Sequence, residues 1–83
     1  MALFKTRAIV IKSINLSESD RIATFMTENQ GKVKCVAKGA RKIKNRFWGA
    51  LEPMSLIRLI YFGKEHKSLS RLNHSDIIES FQT

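Results

Sequence analysis

Short runs of β-branched and apolar residues, separated by small groups of turn-forming residues, recur along the chain. Residues 6–14 are rich in β-branched side chains and too few for a firm helix, which favours a first strand. Turn formers at 15–20 precede a second predicted strand at 21–27, and 28–31 resembles a hairpin turn. Gly31 would supply the positive φ that such a tight turn needs. The pattern therefore predicts antiparallel neighbours in the first part of the chain.

The third predicted strand, 32–38, has the clearest alternation in the sequence. Val33, Cys35 and Ala37 alternate there with Lys32, Lys34, Val36 and Lys38, so one face would be apolar and the other basic. The apolar run 53–62 predicts a fourth strand, covered on both sides or bent around a small barrel. Residues 67–73 alternate more loosely and predict a fifth strand.

Two segments do not follow a strand pattern. The connection 40–49 has room for a short helix but no firm periodicity, and the end of the chain could open a helix with Ser75 or Asp76 near its N-cap. Five short strands, with the longest break between the third and fourth, are typical of the five-stranded Greek-key barrel called the OB-fold. We therefore predict a mainly all-β chain, one OB-fold domain over 1–83, with an SH3-like barrel as the alternative.

Composition changes the picture mainly through charge. Fifteen Lys and Arg against seven Asp and Glu give a net charge of +8 and a pI near 10.2, which favours nucleic acid as the partner. An anionic membrane is less favoured, because the basic residues do not lie opposite an apolar helical face and no run approaches the ~20 apolar residues of a membrane span. The first residues also lack the apolar segment of a signal peptide, so a cytoplasmic protein is expected.

Catalytic and metal chemistry find little support in the sequence. Cys35 is the only cysteine, which excludes an internal disulfide and fits a reducing compartment, and its place among apolar strand residues favours a core role. Two histidines are too sparse for a zinc ligand set. No phosphate-binding loop or nucleophile elbow is present, so we expect a binding protein that is not an enzyme and needs no cofactor.

A basic cluster runs from residue 32 to residue 46 without an acidic residue. Clustered cations of this kind bind phosphates, because each neutralised phosphate releases condensed counterions. A solvated basic face that only aids solubility is the alternative. The cluster consists of Lys32, Lys34, Lys38, Arg41, Lys42, Lys44 and Arg46.

Other residues near the cluster have two interpretations each. Trp48 could stack on a base or plug the barrel, while Phe47 is better placed in the core. Arg21 could reach the same groove or pair with a neighbouring carboxylate. We expect Glu18 and Asp20 to form a solvated loop with an Asx cap.

The chain resembles the N-terminal OB-fold domain of the bacterial recombination-repair RecO family. The resemblance runs from about Arg7 to Phe81, and its most specific part is the middle block from Ala37 to Pro53. Supporting blocks are Glu18-Ser19-Asp20-Arg21 and Gly31-Lys32-Val33. The family carries a helical domain after the OB-fold, so the resemblance implies that this chain corresponds to the first third, as an N-terminal fragment.

The resemblance implies binding of single- and double-stranded DNA, annealing of complementary strands, and support of RecA loading with RecR in DNA repair near the nucleoid. RecR could contact the OB domain, whereas single-strand-binding protein and the zinc of some relatives would belong to the absent C-terminal region. By position, the family's DNA-binding surface would fall on Lys32, Lys38, Arg41, Lys42 and Arg46, with Arg21 as a plausible member. Two alternatives stay open, namely a docking module whose basic face binds an acidic partner such as RecR, and an RNA-binding OB domain.

Overall fold

A computed structural model describes residues 2–39, 52–63 and 69–80, and all regular structure in these ranges is β-strand. The strands are β1 (Ala2–Asn15), β2 (Arg21–Thr27), β3 (Gly31–Ala37), β4 (Ser55–Gly63) and β5 (Ser70–Ser80). They form a closed barrel in the order β1-β2-β3-β5-β4. Four of the pairings are antiparallel, and β3 with β5 is parallel. This architecture confirms the predicted OB-fold.

The first strand closes the barrel because its two halves pair with different partners. Ala2–Ile9 pairs with β4, and Ala8–Asn15 pairs with β2. The register shifts between Val10 and Lys12, as expected of a bulge that bends a strand around a barrel corner. Fourteen residues of β1 thereby serve two neighbours.

Alternation along the strands fills the barrel interior. Phe25, Ile57, Leu59 and Val10 are completely buried. Each such side chain contributes about 1.5–3 kcal/mol relative to an exposed position. Small residues complete the same core beside these large ones, namely Ala8, Ala23, Cys35 and Ala37. A small barrel needs this mixture, since its interior is just wide enough to be filled by side chains.

The hairpin turn between β2 and β3 matches the prediction. Gly31 has a φ of 69°, the left-handed conformation in which glycine carries no steric cost. Thr27 stabilises the turn, because its Oγ1 donates to the carbonyl of Gly31 at 2.6 Å and accepts from the amide of Gln30 at 2.9 Å.

Two predictions about strand ends need correction. The helix predicted to open at Ser75 or Asp76 is wrong, because β5 continues as a strand to Ser80 and pairs with β4. Ladder hydrogen bonds with a neighbouring strand outweigh the local capping preference of Ser and Asp. β1 begins at Ala2, earlier than predicted. The short helix considered within 40–49 lies outside the described residues.

Candidate nucleic-acid interface

The outer surface of β1, β2 and β3 forms a continuous patterned face, which we call the β1–β3 face. Its side chains alternate with those that point into the barrel, so residues paired in register form transverse rows across the three strands. The middle row contains two lysines that flank a threonine, and the next row is entirely apolar. The rows are Ile9-Met26-Lys32, Lys12-Thr24-Lys34 and Ile14-Ile22-Val36.

A cleft of about 300 Å³ lies in this face. Ile14 and Ile22 line it together with Leu69, which directly precedes β5, while Lys12 and Lys34 supply its charged side chains. Ile14 is 50% exposed and Leu69 is 42% exposed, so the cleft offers apolar surface to a ligand. It combines cations with an apolar lining on the strands that OB-folds use to bind oligonucleotides.

Lys12 belongs to this cleft although the sequence pattern did not single it out. Lys32 and Lys34, which alternation did predict, are both exposed on the β1–β3 face. Lys12 and Lys34 both lie opposite Thr24, one on each neighbouring strand. At the usual strand spacing their attachment points are about 10 Å apart. The geometry therefore adds Lys12 to the candidate residues.

Lys38 lies just after β3 and contacts a carboxylate. Its Nζ is 3.5 Å from Asp20 Oδ2, and its side chain stays 66% exposed. Asp20 Oδ1 also accepts a hydrogen bond of 2.8 Å from the amide of Gly39. This hydrogen bond, aided by the charge of Lys38, holds the pKa of the Asp20 carboxyl below its ordinary value. Asp20 therefore does more than form the solvated loop that we expected.

Arg21 lies apart from the cleft lysines. It is paired with Ala37. By strand alternation its side chain lies on the same side of β2 as those of Ala23 and Phe25, which are buried in the barrel. Its Nε is buried and has no hydrogen-bond partner among the described residues. Its predicted contact with nucleic acid stays a prediction.

The other end of the β1–β3 face, beyond the row of Ile9 and Met26, has a different character. Arg7 and Glu28 form a bidentate ion pair, in which Arg7 Nε donates to Glu28 Oε2 at 2.8 Å and Nη2 donates to Oε1 at 3.0 Å. These bonds lower the pKa of the Glu28 carboxyl. A second cleft of about 350 Å³ lies beside this pair, and Ile9, Met26 and Leu56 line it with them. Arg7, the cation of this cleft, is already paired with the Glu28 carboxylate, so the cleft attracts phosphate less strongly.

Other chemistry finds no support in the described parts of the chain. Cys35 is buried, and burial raises the pKa of its thiol to about 12, which confirms the predicted core role. Residues 2–39, 52–63 and 69–80 contain no group of His, Cys, Asp and Glu suited to hold a metal ion. The same ranges contain no helix long and apolar enough to cross a membrane.

The remaining predicted contact residues lie outside the described residues. They are Arg41, Lys42, Lys44, Arg46 and Trp48, together with the predicted core residue Phe47.

Comparison with known proteins identifies the family. A family model described as "Recombination protein O N terminal" matches residues 1–81. The chain is 44% identical over 80 residues to a protein of Thermodesulfovibrio yellowstonii named DNA repair protein RecO, covering 96% of this chain and 32% of that one. A protein of the same name from Koribacter versatilis is 40% identical over 78 residues, with 94% and 32% covered. The chain thus spans about a third of these relatives, and it belongs to the RecO N-terminal domain family.

Proposed function

We propose that this domain binds DNA in recombinational repair, by phosphate contacts from its β1–β3 face and from the basic segment that follows β3. In this proposal it acts in the cytoplasm at the nucleoid, on single- and double-stranded DNA, and no residue acts as a chemical catalyst. The relatives' printed name, DNA repair protein RecO, supports the setting. The pair of lysines on either side of Thr24 supports the site.

Charge is the first argument for DNA. Lys12, Lys32 and Lys34 lie on one face of a chain whose net charge is +8. A face of one sign concentrates polyanions near it, and phosphate contacts of this kind carry no base preference. In the same proposal Arg21 and the basic residues that follow β3 add further phosphate contacts, and Trp48 adds a stacking surface. The basic residues that follow β3 are Lys38, Arg41, Lys42, Lys44 and Arg46.

The apolar lining is the second argument, and it concerns bases. Ile14, Ile22 and Leu69 lie next to the lysines in one cleft. An unpaired strand can turn a base toward such a lining while its phosphates lie against the lysines. The bases of a duplex are stacked inside it and cannot make this contact without being unstacked. The cleft therefore favours single strands, while the lysines alone serve either form.

Annealing follows from the same charges. Two complementary strands repel each other through their phosphates, and a basic surface that binds both lowers this repulsion. Pairing can then proceed without a nucleotide cofactor. RecR is the proposed partner in RecA loading, and single-strand-binding protein would be engaged by the part of the relatives that this chain does not span.

The test is fluorescence anisotropy of a labelled single-stranded oligonucleotide at several salt concentrations. Lys12→Ala and Lys34→Ala should each weaken binding and flatten the logarithmic salt slope by about 0.7, the value for one phosphate contact on a single strand. Lys5→Ala is the matched control, because Lys5 is exposed on the same strand but is paired with Ile60 of β4.

Equal effects of all three substitutions would show general attraction to a cation and no particular face. Tight binding of RecR by a chain that retains no oligonucleotide even at low salt would replace the DNA proposal by the docking alternative. Stronger binding of a matched RNA oligomer than of DNA would favour the RNA-binding alternative.

A further inference from the structure

Asp20 connects two separate segments at one end of the β1–β3 face. Its backbone carbonyl accepts hydrogen bonds from the amides of Leu16 and Ser17, at 3.0 and 3.4 Å. Its own amide donates to Ser17 Oγ at 3.3 Å. These bonds hold the β1–β2 loop to Asp20, at the point where β2 begins.

The Asp20 side chain reaches away from this loop to the end of β3. Oδ1 accepts from the amide of Gly39 at 2.8 Å, and Oδ2 lies 3.5 Å from Lys38 Nζ. The carboxylate is only 16% exposed, whereas the Lys38 side chain is 66% exposed. Gly39 has a φ of 72°, so the chain turns sharply where the carboxylate contacts it. One acidic side chain therefore fixes the turn that follows a basic strand.

This carboxylate is unexpected beside a polyanion site. A negative charge near phosphates weakens binding by repulsion, and removing it would be expected to strengthen binding. Its hydrogen bond with Gly39 offers a reason for its presence. The bond fixes the course of the chain beyond Ala37, and with it the place from which Lys38 extends.

We propose that Asp20 is a positioning residue for DNA binding, because its hydrogen bond with Gly39 sets the turn that presents Lys38 beside the β1–β2 loop. This inference rests on the proposed function and deepens it. The Asp20 carboxylate contacts no DNA itself. Its contribution through geometry exceeds the cost of its charge.

The sign of a single substitution separates this proposal from simple electrostatics. Asp20→Ala removes an acidic charge and also the acceptor for Gly39, so we expect binding of a single-stranded oligonucleotide to weaken, by roughly three- to tenfold. Asp20→Asn removes the charge but keeps a side-chain carbonyl that can accept from Gly39. It should bind at least as tightly as the unmodified chain. Glu18→Ala is the matched control, because Glu18 is an exposed residue of the same loop and its loss changes the net charge equally.

The measurement is anisotropy at several salt concentrations, with circular dichroism to verify that each variant is folded. Weaker binding by Asp20→Ala alone supports the proposal. Binding by Asp20→Ala that equals or exceeds that of Glu18→Ala overturns it, as does an Asp20→Asn variant as weak as Asp20→Ala. If Asp20→Ala fails to fold, Gly39→Ala is the deciding variant, because it strains the same turn without changing any charge. Gly39→Ala should also weaken binding of the oligonucleotide. Unchanged binding by Gly39→Ala overturns the proposal. Absence of binding by the unmodified chain would instead refute the proposed function.

Discussion

Ile14 can separate contacts with bases from contacts with phosphates. It is half exposed in the cleft and carries no charge. Ile14→Ser should weaken binding of a single strand by roughly three- to tenfold through lost apolar contact, and the salt slope should not change because no phosphate contact is lost. The same substitution should affect duplex binding less. Anisotropy with both oligonucleotides over a salt series checks this.

Leu3 provides the control for that prediction. It is exposed to nearly the same extent, 49%, and lies on the same strand, but it is paired with Phe62 of β4 and does not line the cleft. Leu3→Ser should leave both affinities unchanged. Equal losses for the two variants, or equal losses for single strand and duplex, would contradict a base contact at Ile14.

Single residues also show where prediction from sequence ended. Alternation along β3 correctly indicated that Lys32 and Lys34 face outward, since their neighbour Cys35 is buried. The same rule applied to β1 would turn Lys12 inward, because Val10 is buried. The bulge between Val10 and Lys12 reverses this direction and places Lys12 opposite Thr24. A bulge depends on pairing with another strand, so local sequence did not reveal it.

At the scale of elements, the predicted strand bounds agreed with the structure where neighbouring residues alone determine the strand. β2 was predicted with its observed bounds, because turn formers border it on both sides. β5 was predicted too short, and its second half was assigned to a helix. Residues 75–80 have a local helix-start pattern, and only their pairing with β4, which begins at Ser55 opposite Ser80, makes them a strand. Such pairing between distant residues is absent from any short window of sequence.

The β2–β3 turn gives a prediction for one element. Gly31→Ala places a Cβ where no atom lies within 4 Å, so the only cost is the positive φ. That cost is roughly 1–2 kcal/mol for a residue with a side chain. The free energy of unfolding, measured with urea, should fall by this amount. DNA affinity should not change, because Gly31 does not line the cleft in the β1–β3 face. A loss well above this range would mean that the turn shifts the strands it joins.

Across the whole molecule, the cleft lysines lie apart from the ion-paired groups. On the β1–β3 face, Lys12 and Lys34 share a row without an acidic residue. At the other end of that face, beyond the row of Ile9 and Met26, Arg7 is paired with Glu28, and on β5 His74 Nε2 lies 2.8 Å from Asp76 Oδ2. Net charge could be counted from the sequence and predicted a polyanion partner, which stays a prediction. The separation of these two groups could not be predicted from the sequence, since it depends on which strands become neighbours.

Acid should destabilise the whole domain through two carboxylates. Asp20 accepts its hydrogen bond from Gly39 and Glu28 binds Arg7, and both have a pKa lower in the fold than the ordinary values of 3.8 and 4.5. The unfolded chain therefore takes up protons at a higher pH than the folded chain, so the stabilisation from these groups is present at neutral pH and is lost as pH falls through the folded pKa values.

The double variant Asp20→Asn with Glu28→Gln tests this linkage. Its free energy of unfolding should be lower than that of the unmodified chain at neutral pH, and the two curves should converge as pH falls below the ordinary values of 3.8 and 4.5 and the native carboxylates become protonated. Urea unfolding at a series of pH values measures both curves. A difference that stays constant over the whole range would mean that the substitutions act through packing, and that neither carboxylate stabilises the fold through its charge.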